Sequence, residues 1–191
     1  MHVALALRWI PNAISLLRIA MVPLVIASIA TERYSLAAGL FFVAGFSDGI
    51  DGFLARRFGW HTELGAILDP IADKLLLIGT FIMLAWVGIV PAWLAVAIIA
   101  RDVVIMSGAI AYHYLHGDLE GKPSLISKLN TALLLLYVIF VLLSAAALLP
   151  AAIAQHPSLH TVLPMVLVVT LVVSTLGYMR EWIRRAREHQ Q

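Results

Sequence analysis

The chain contains no cysteine among its 191 residues, and only 13% of them are charged. The missing thiols exclude a disulfide scaffold, thiolate zinc fingers and iron–sulfur clusters. The scarcity of charge, set against 62% apolar residues and a mean hydropathy of +0.95, excludes both intrinsic disorder and an ordinary water-soluble domain. A strong basic excess is also lacking. The formal net charge is only +2, with no basic run on a polar background, so nucleic acid is not an expected partner. A lipid bilayer is the environment this composition fits.

A hydrocarbon core of about 30 Å needs about 20 helical residues. Six stretches of that kind can be read, over 12–31, 35–56, 66–86, 91–115, 125–148 and 162–182. Turn and charge signals separate them at Thr31-Glu32-Arg33, Arg57 to Glu63, Val90-Pro91, His116 to Pro123 and Pro150 to Ser158. The expectation is one all-α integral membrane domain over residues 1–191 with six transmembrane helices. Residues 1–10, apolar around Arg8 and followed by Pro11, suit a short N-terminal interfacial helix or a disordered end equally well. Arg18 argues against reading the first apolar stretch as a cleaved secretory signal. Arg8, Arg18, Arg56, Arg57, Lys122, Lys128, Arg180, Arg184, Arg185 and Arg187 fall on one side of a six-span arrangement, with Arg33 on the other. The positive-inside rule then puts both termini in the cytoplasm, across the inner membrane if the source is bacterial.

Four aspartates break the apolar pattern. Asp48 and Asp51 are three residues apart in the second stretch, and Asp69 and Asp73 are four apart in the third, so each pair shares a helical face near the same membrane surface. Like charges gathered in a low dielectric raise one another's pKa unless cations take the place of protons. With oxygen donors alone, Mg²⁺ or Mn²⁺ fits best and Ca²⁺ competes. The plainer alternative is pairing with Arg56 or Lys74. Gly52 and Ala55 leave room on the face of Asp48 and Asp51, and Gly65 lies one turn before Asp69; close helix packing, supported by Gly45 and Gly49, explains such small residues equally well.

Taken together, Asp48, Asp51, Gly52, Ala55, Arg56, Gly65, Asp69 and Asp73, eight fixed residues over 26 positions, resemble the signature of the CDP-alcohol phosphatidyltransferases. The resemblance extends to length and six-span layout. It implies a site on the cytoplasmic surface, with two Mg²⁺ or Mn²⁺ ions, that takes CDP-diacylglycerol, transfers the phosphatidyl group to an alcohol and releases CMP. By the same resemblance Asp48, Asp51 and Asp69 are metal ligands, and Asp73 is the base for the acceptor hydroxyl and touches metal as well. Gly52, Ala55, Arg56 and Gly65 line the nucleotide pocket. A homodimer, with the sixth span as a candidate interface, is common among such proteins.

The stretch from Pro11-Asn12 to Arg18 is similar to the start of the glycerol-type branch, which comprises phosphatidylglycerophosphate synthases and eukaryotic-type cardiolipin synthases. Asn12 and Arg18 are candidates for acceptor or lipid phosphate binding, with a helix cap and a snorkelling cation as the alternatives. Arg101, Lys128 and Asn130 are further candidates. Arg101 has Asp102 beside it for charge compensation, Lys128 can snorkel, and Asn130 can bond a neighbouring helix. Ser127-Lys128-Leu129-Asn130-Thr131 resembles the cardiolipin-type wording, in which Asn130 stands where the glycerophosphate-type enzymes carry a second lysine. One cation fewer suits phosphatidylglycerol, with a single phosphodiester charge, better than glycerol 3-phosphate. The expected acceptor is therefore phosphatidylglycerol, with glycerol 3-phosphate second. A UbiA-like prenyltransferase and an ion carrier are rivals; the first needs a longer chain, and the second needs polar residues through both halves of the bilayer.

Overall fold

The computed structural model describes residues 10–58, 63–116, 125–154 and 156–188, and within them only helices and short connections occur. In chain order these are α1 (Ile10–Ala30), α2 (Tyr34–Phe58), α3 (Glu63–Trp86), α4 (Ala92–His116), α5 (Leu125–Ala145), the single turn α6 (Ala151–Ala154) and α7 (Pro157–Glu188). Each expected span coincides with one long helix. The expected N-terminal interfacial helix lies outside the described residues.

Among the described residues, four segments are long and apolar enough to cross a membrane: Asn12–Ala30, Ala92–Tyr112, Leu125–Ala145 and Leu159–Trp182. α2 adds a shorter apolar stretch, Tyr34–Ser47. The distribution of side chains suits a lipid solvent rather than water. Leu16, Leu17 and Leu24 of α1 are more than half exposed, whereas the largest fully buried side chain is the cationic Arg18. In water that pattern would forfeit hydrophobic stabilisation; in a bilayer the exposed leucines cost nothing and the charge is hidden from hydrocarbon.

The chain divides into two compact units, one formed by residues 1–90 and 138–154, the other by 91–137 and 155–191. In the first, α1 packs along both α2 and α3. The buried row of α1 runs Asn12, Ser15, Arg18, Met21, Val25, Ile29, a helical period whose first half is polar and second half apolar. α2 offers the small residues Ala37, Ala38 and Ala44 with Phe41, and α3 offers Ala72, Leu76, Thr80 and Leu84 at an unbroken spacing of four. Small side chains let membrane helices approach closely. A Cβ on Gly79 would come 3.1 Å from Ile26 Cδ1 and 3.5 Å from Val22 Cγ1. Ser15 contacts Asp69, Arg18 contacts Asp73, and Val22 and Ile26 lie against Gly79, so α1 and α3 run parallel with α2 as the return.

The second unit repeats this arrangement with α4, the first half of α5 and α7. Arg101 meets Ser174 and Gly108 meets Trp182, so α4 and α7 are parallel. α5 runs against α7, because Ser127 shares Arg101 with Ser174 while Asn130 reaches back to Thr170.

α1, α3 and α5 end in the same way. Glu32 (φ 58°), Gly88 (φ 77°) and Ala147 (φ 54°) adopt the left-handed conformation, and the amide after each reaches back five residues, Arg33 to Ser28, Ile89 to Leu84 and Leu148 to Leu143. This satisfies carbonyls that a helix end otherwise leaves open. α7 has 32 residues, about 48 Å of helix, and outruns a hydrocarbon core of about 30 Å. Its extra turns carry Arg180 to Arg187, polar sequence that hydropathy alone reads as the end of a span.

Candidate active site

The acidic signature is divided between α2 and α3. α2 is continuous helix through Asp48, Asp51, Gly52, Ala55 and Arg56, which keeps their sequence spacing in register; their side chains lie outside the described residues. α3 carries Gly65, Asp69 and Asp73 at successive intervals of four, hence along one row. Gly65 is buried, Asp69 partly so, and Asp73 retains half of its side-chain surface. Pro70 lies between the two acids inside α3 and cannot donate to the carbonyl of residue 66 one turn earlier.

Both α3 carboxylates are held from α1. The Ser15 hydroxyl donates to Asp69 Oδ1, and Arg18 Nη1 donates to Asp73 Oδ1 at 2.5 Å. The two pairs follow from the parallel register: a step of three on α1 meets a step of four on α3. Arg18 is fully buried, with a side-chain exposure of 0% against 50% for Asp73. A cation taken this far from water needs a carboxylate partner, and Asp73 supplies one while keeping an open side. Asn12, one turn before Ser15, is 4% exposed and occupies the third position of α1, inside the helix rather than at its cap.

An all-oxygen set, with two carboxylates one turn apart and one of them half open, fits a hard divalent cation. Among the described residues no group of three or more acidic, histidine or cysteine side chains comes together; Asp48 and Asp51, the other half of the expected set, are outside that search.

The expected phosphate-binding residues of the second unit form a separate polar cluster. Arg101 Nη1 bonds Asp102 Oδ1 at 2.8 Å, and Nη2 bonds the hydroxyls of Ser127 at 3.0 Å and Ser174 at 3.3 Å. Its Nε is buried with no partner among the described residues. Asn130 Oδ1 accepts the Thr170 hydroxyl at 3.0 Å, one turn further along α5. Lys128 is exposed. Ser15, Ser174 and Thr170 carry no role in the sequence reading. The signal available for the last two is their spacing of four in a mostly apolar span, which places two hydroxyls on one face.

A family model for CDP-alcohol phosphatidyltransferase matches residues 8–176, nearly the whole chain. The chain belongs to that family, whose members generally depend on a divalent metal. Among curated relatives, it is 33% identical over 145 residues to a human protein named cardiolipin synthase (CMP-forming), covering 68% of this chain and 48% of the relative. A rice chloroplastic protein named CDP-diacylglycerol–glycerol-3-phosphate 3-phosphatidyltransferase 1 is 31% identical over 189 residues, covering 88% and 55%. A cardiolipin synthase (CMP-forming) of Streptomyces coelicolor is 36% identical over 112 residues, covering 54% and 52%. The chain thus spans about half the length of the curated relatives it matches.

Proposed function

We propose that this protein transfers the phosphatidyl group of CDP-diacylglycerol to phosphatidylglycerol, releasing CMP and forming cardiolipin, from a site at the cytoplasmic surface of a six-span membrane domain. Residues 1–191 form one catalytic domain on this reading, since the family match runs through both compact units. In a bacterial source the membrane is the inner one. The observation that carries the proposal is the complete eight-residue signature, with its last two carboxylates held one turn apart on α3 and Asp73 half open.

Asp48, Asp51, Asp69 and Asp73 would hold two Mg²⁺ or Mn²⁺ ions, and metal bound there would neutralise the charge that grows on the departing phosphate. The protein's own part is positioning and proton handling. Gly52, Ala55, Arg56 and Gly65 border the nucleotide, with small residues admitting the cytidine and Arg56 near its phosphates. Asp73 accepts the proton of the acceptor hydroxyl as that oxygen bonds to the phosphatidyl phosphorus. The bond from this phosphorus to the CMP oxygen breaks, and CMP leaves with the electron pair. Acyl chains stay in lipid throughout while CMP departs into water.

For the acceptor phosphate we assign Lys128, which is exposed, and Arg101, which retains Nε beyond its three bonds. Asn130 in place of a second lysine favours the singly charged phosphatidylglycerol. Asn12 and Arg18 complete the glycerol-type opening of α1. The second reading is glycerol 3-phosphate as acceptor, favoured by the match to the rice protein over 88% of this chain. The exposed apolar row of α7, Val162, Val166, Val169 and Val173, is the candidate face for pairing with a second copy.

The test is CMP release by the purified protein in detergent with CDP-diacylglycerol and Mg²⁺ or Mn²⁺, offered phosphatidylglycerol or glycerol 3-phosphate, with the lipid product identified by mass. Release with phosphatidylglycerol is the expected result. Release only with glycerol 3-phosphate replaces the acceptor and keeps the chemistry; release with neither overturns the proposal.

A further inference from the structure

Resting on the phosphatidyl-transfer reading, we infer that Arg18 is a positioning residue for Asp73 rather than a phosphate clamp, and that Ser15 does the same for Asp69. A clamp must show its guanidinium to the ligand. The Arg18 side chain is 0% exposed and its Nη1 is engaged with Asp73 Oδ1, whereas Asp73 keeps half of its surface open. The pair is therefore asymmetric: the cation is sealed and the carboxylate is half exposed, so among the described residues Asp73 is the group through which Arg18 meets the site. Ser15, also fully buried, repeats this one helical turn away on Asp69.

The geometry explains why two anchors are needed. An aspartate on a helix has a free χ1 and a broad χ2, and a carboxylate that must meet an acceptor hydroxyl has to hold one rotamer. One oxygen of Asp73 is tied to a guanidinium that is itself fully enclosed, and moving it would cost the pairing of a buried charge with this carboxylate. The parallel alignment of α1 and α3 supplies both anchors from one rigid surface, the polar half of the buried row that continues as Met21, Val25 and Ile29. Sites built on helices and supported by a second layer of contacts hold their geometry best.

The two roles separate in kinetics. If Arg18 positions Asp73, Arg18→Met lowers kcat by about 10²-fold, the typical penalty for a misplaced reacting group, and leaves KM for CDP-diacylglycerol and the affinity for CDP with Mg²⁺ within about threefold. Arg18→Lys, which keeps a buried cation, recovers about a tenth or more of the lost rate. A phosphate clamp predicts the reverse: KM and CDP affinity weaken together and kcat is spared.

A second arm reads no turnover. Thermal unfolding in detergent is compared for Asp73→Asn, Arg18→Met and the double variant. Coupling between the two positions is expected, with Asp73→Asn destabilising because it removes a carboxylate charge from the buried Arg18, and Arg18→Met raising the melting temperature in that background. Additive effects in this cycle, or a kcat unchanged in Arg18→Met, overturn the inference. Absence of CMP release by the wild-type protein with either acceptor overturns the transfer reading instead, while the unfolding cycle still decides whether the two side chains are coupled.

Discussion

The two compact units are built alike, each with a parallel pair of helices and an antiparallel third, yet they treat buried charge in opposite ways. In the first, Arg18 is sealed and its carboxylate partner is 50% exposed. In the second, Arg101 and Asp102 are about equally enclosed, at 13% and 15%, and Ser127 and Ser174 bond the same guanidinium. A network enclosed on both sides inside a membrane bundle holds helices together, because a bond that opens must find another partner where there is no water. A network whose carboxylate is half exposed presents acid surface to what lies outside. The open acid for the proposed transfer is thus in the first unit, while the second fixes the spacing of α4, α5 and α7 and carries Arg101 and Lys128, the groups proposed for the acceptor phosphate.

The sharpest way to test this contrast is to remove one acid from each. Asp73→Asn is expected to lower CMP release by about 10³-fold, as loss of a catalytic base does, while CDP-diacylglycerol binding in Mg²⁺ survives. Asp102→Ala is expected to act first on stability, costing about 3 kcal/mol because the enclosed Arg101 then lacks its counter-charge and keeps only hydroxyl partners. Thermal unfolding in detergent checks this, and Arg101→Met in the same background is expected to recover most of the loss. A turnover loss from Asp102→Ala as large as that from Asp73→Asn would erase the distinction.

Smaller changes probe the second unit alone. A Cβ on Gly108 would collide with Cζ3 and Cη2 of the Trp182 indole. Gly108→Ala therefore forces the indole or α7 to shift, at about 2 kcal/mol, and Trp182→Leu in that background is expected to relieve it. Thr170→Val removes one hydroxyl bond to Asn130 and is expected to cost about 0.6 kcal/mol, the usual worth of such a bond between membrane helices. Both are read as shifts in melting temperature, and a Thr170→Val effect as large as that of Asp102→Ala would mean that the Thr170–Asn130 bond holds the unit as firmly as the Arg101 cluster does.

The helices were legible in the sequence because each needs a long apolar run, and the four aspartates were legible because carboxylates in such runs are costly. What they touch was not. Ser15 and Arg18 meet acids 54 and 55 residues away, and no local pattern gives the register of two parallel helices separated by a third. Arg18 read locally is a cation near a span's end, free to snorkel or to bind phosphate, and only the packing of α1 on α3 shows its guanidinium turned inward. Thr170 and Ser174 were hidden by their surroundings: two small hydroxyls scarcely alter the hydropathy of a span made of valine and leucine. The extension of α7 past residue 182 escaped for the opposite reason, since helix continues after apolarity stops. Asn130 was singled out for acceptor choice, and its bond to Thr170 depends on a partner 40 residues on.

The 55-residue gap between Arg18 and Asp73 also sets a problem of order in biosynthesis. α1 leaves the ribosome well before α3, so an arginine destined for the interior enters the membrane ahead of its counter-ion, at a cost of about 2.5–3.5 kcal/mol for a cation at mid-span. Arg18 lies only nine residues into α1, close enough to the headgroups to wait there. The arrival of α3 is then expected to draw the guanidinium inward, so that the docking of a later helix completes the insertion of an earlier one.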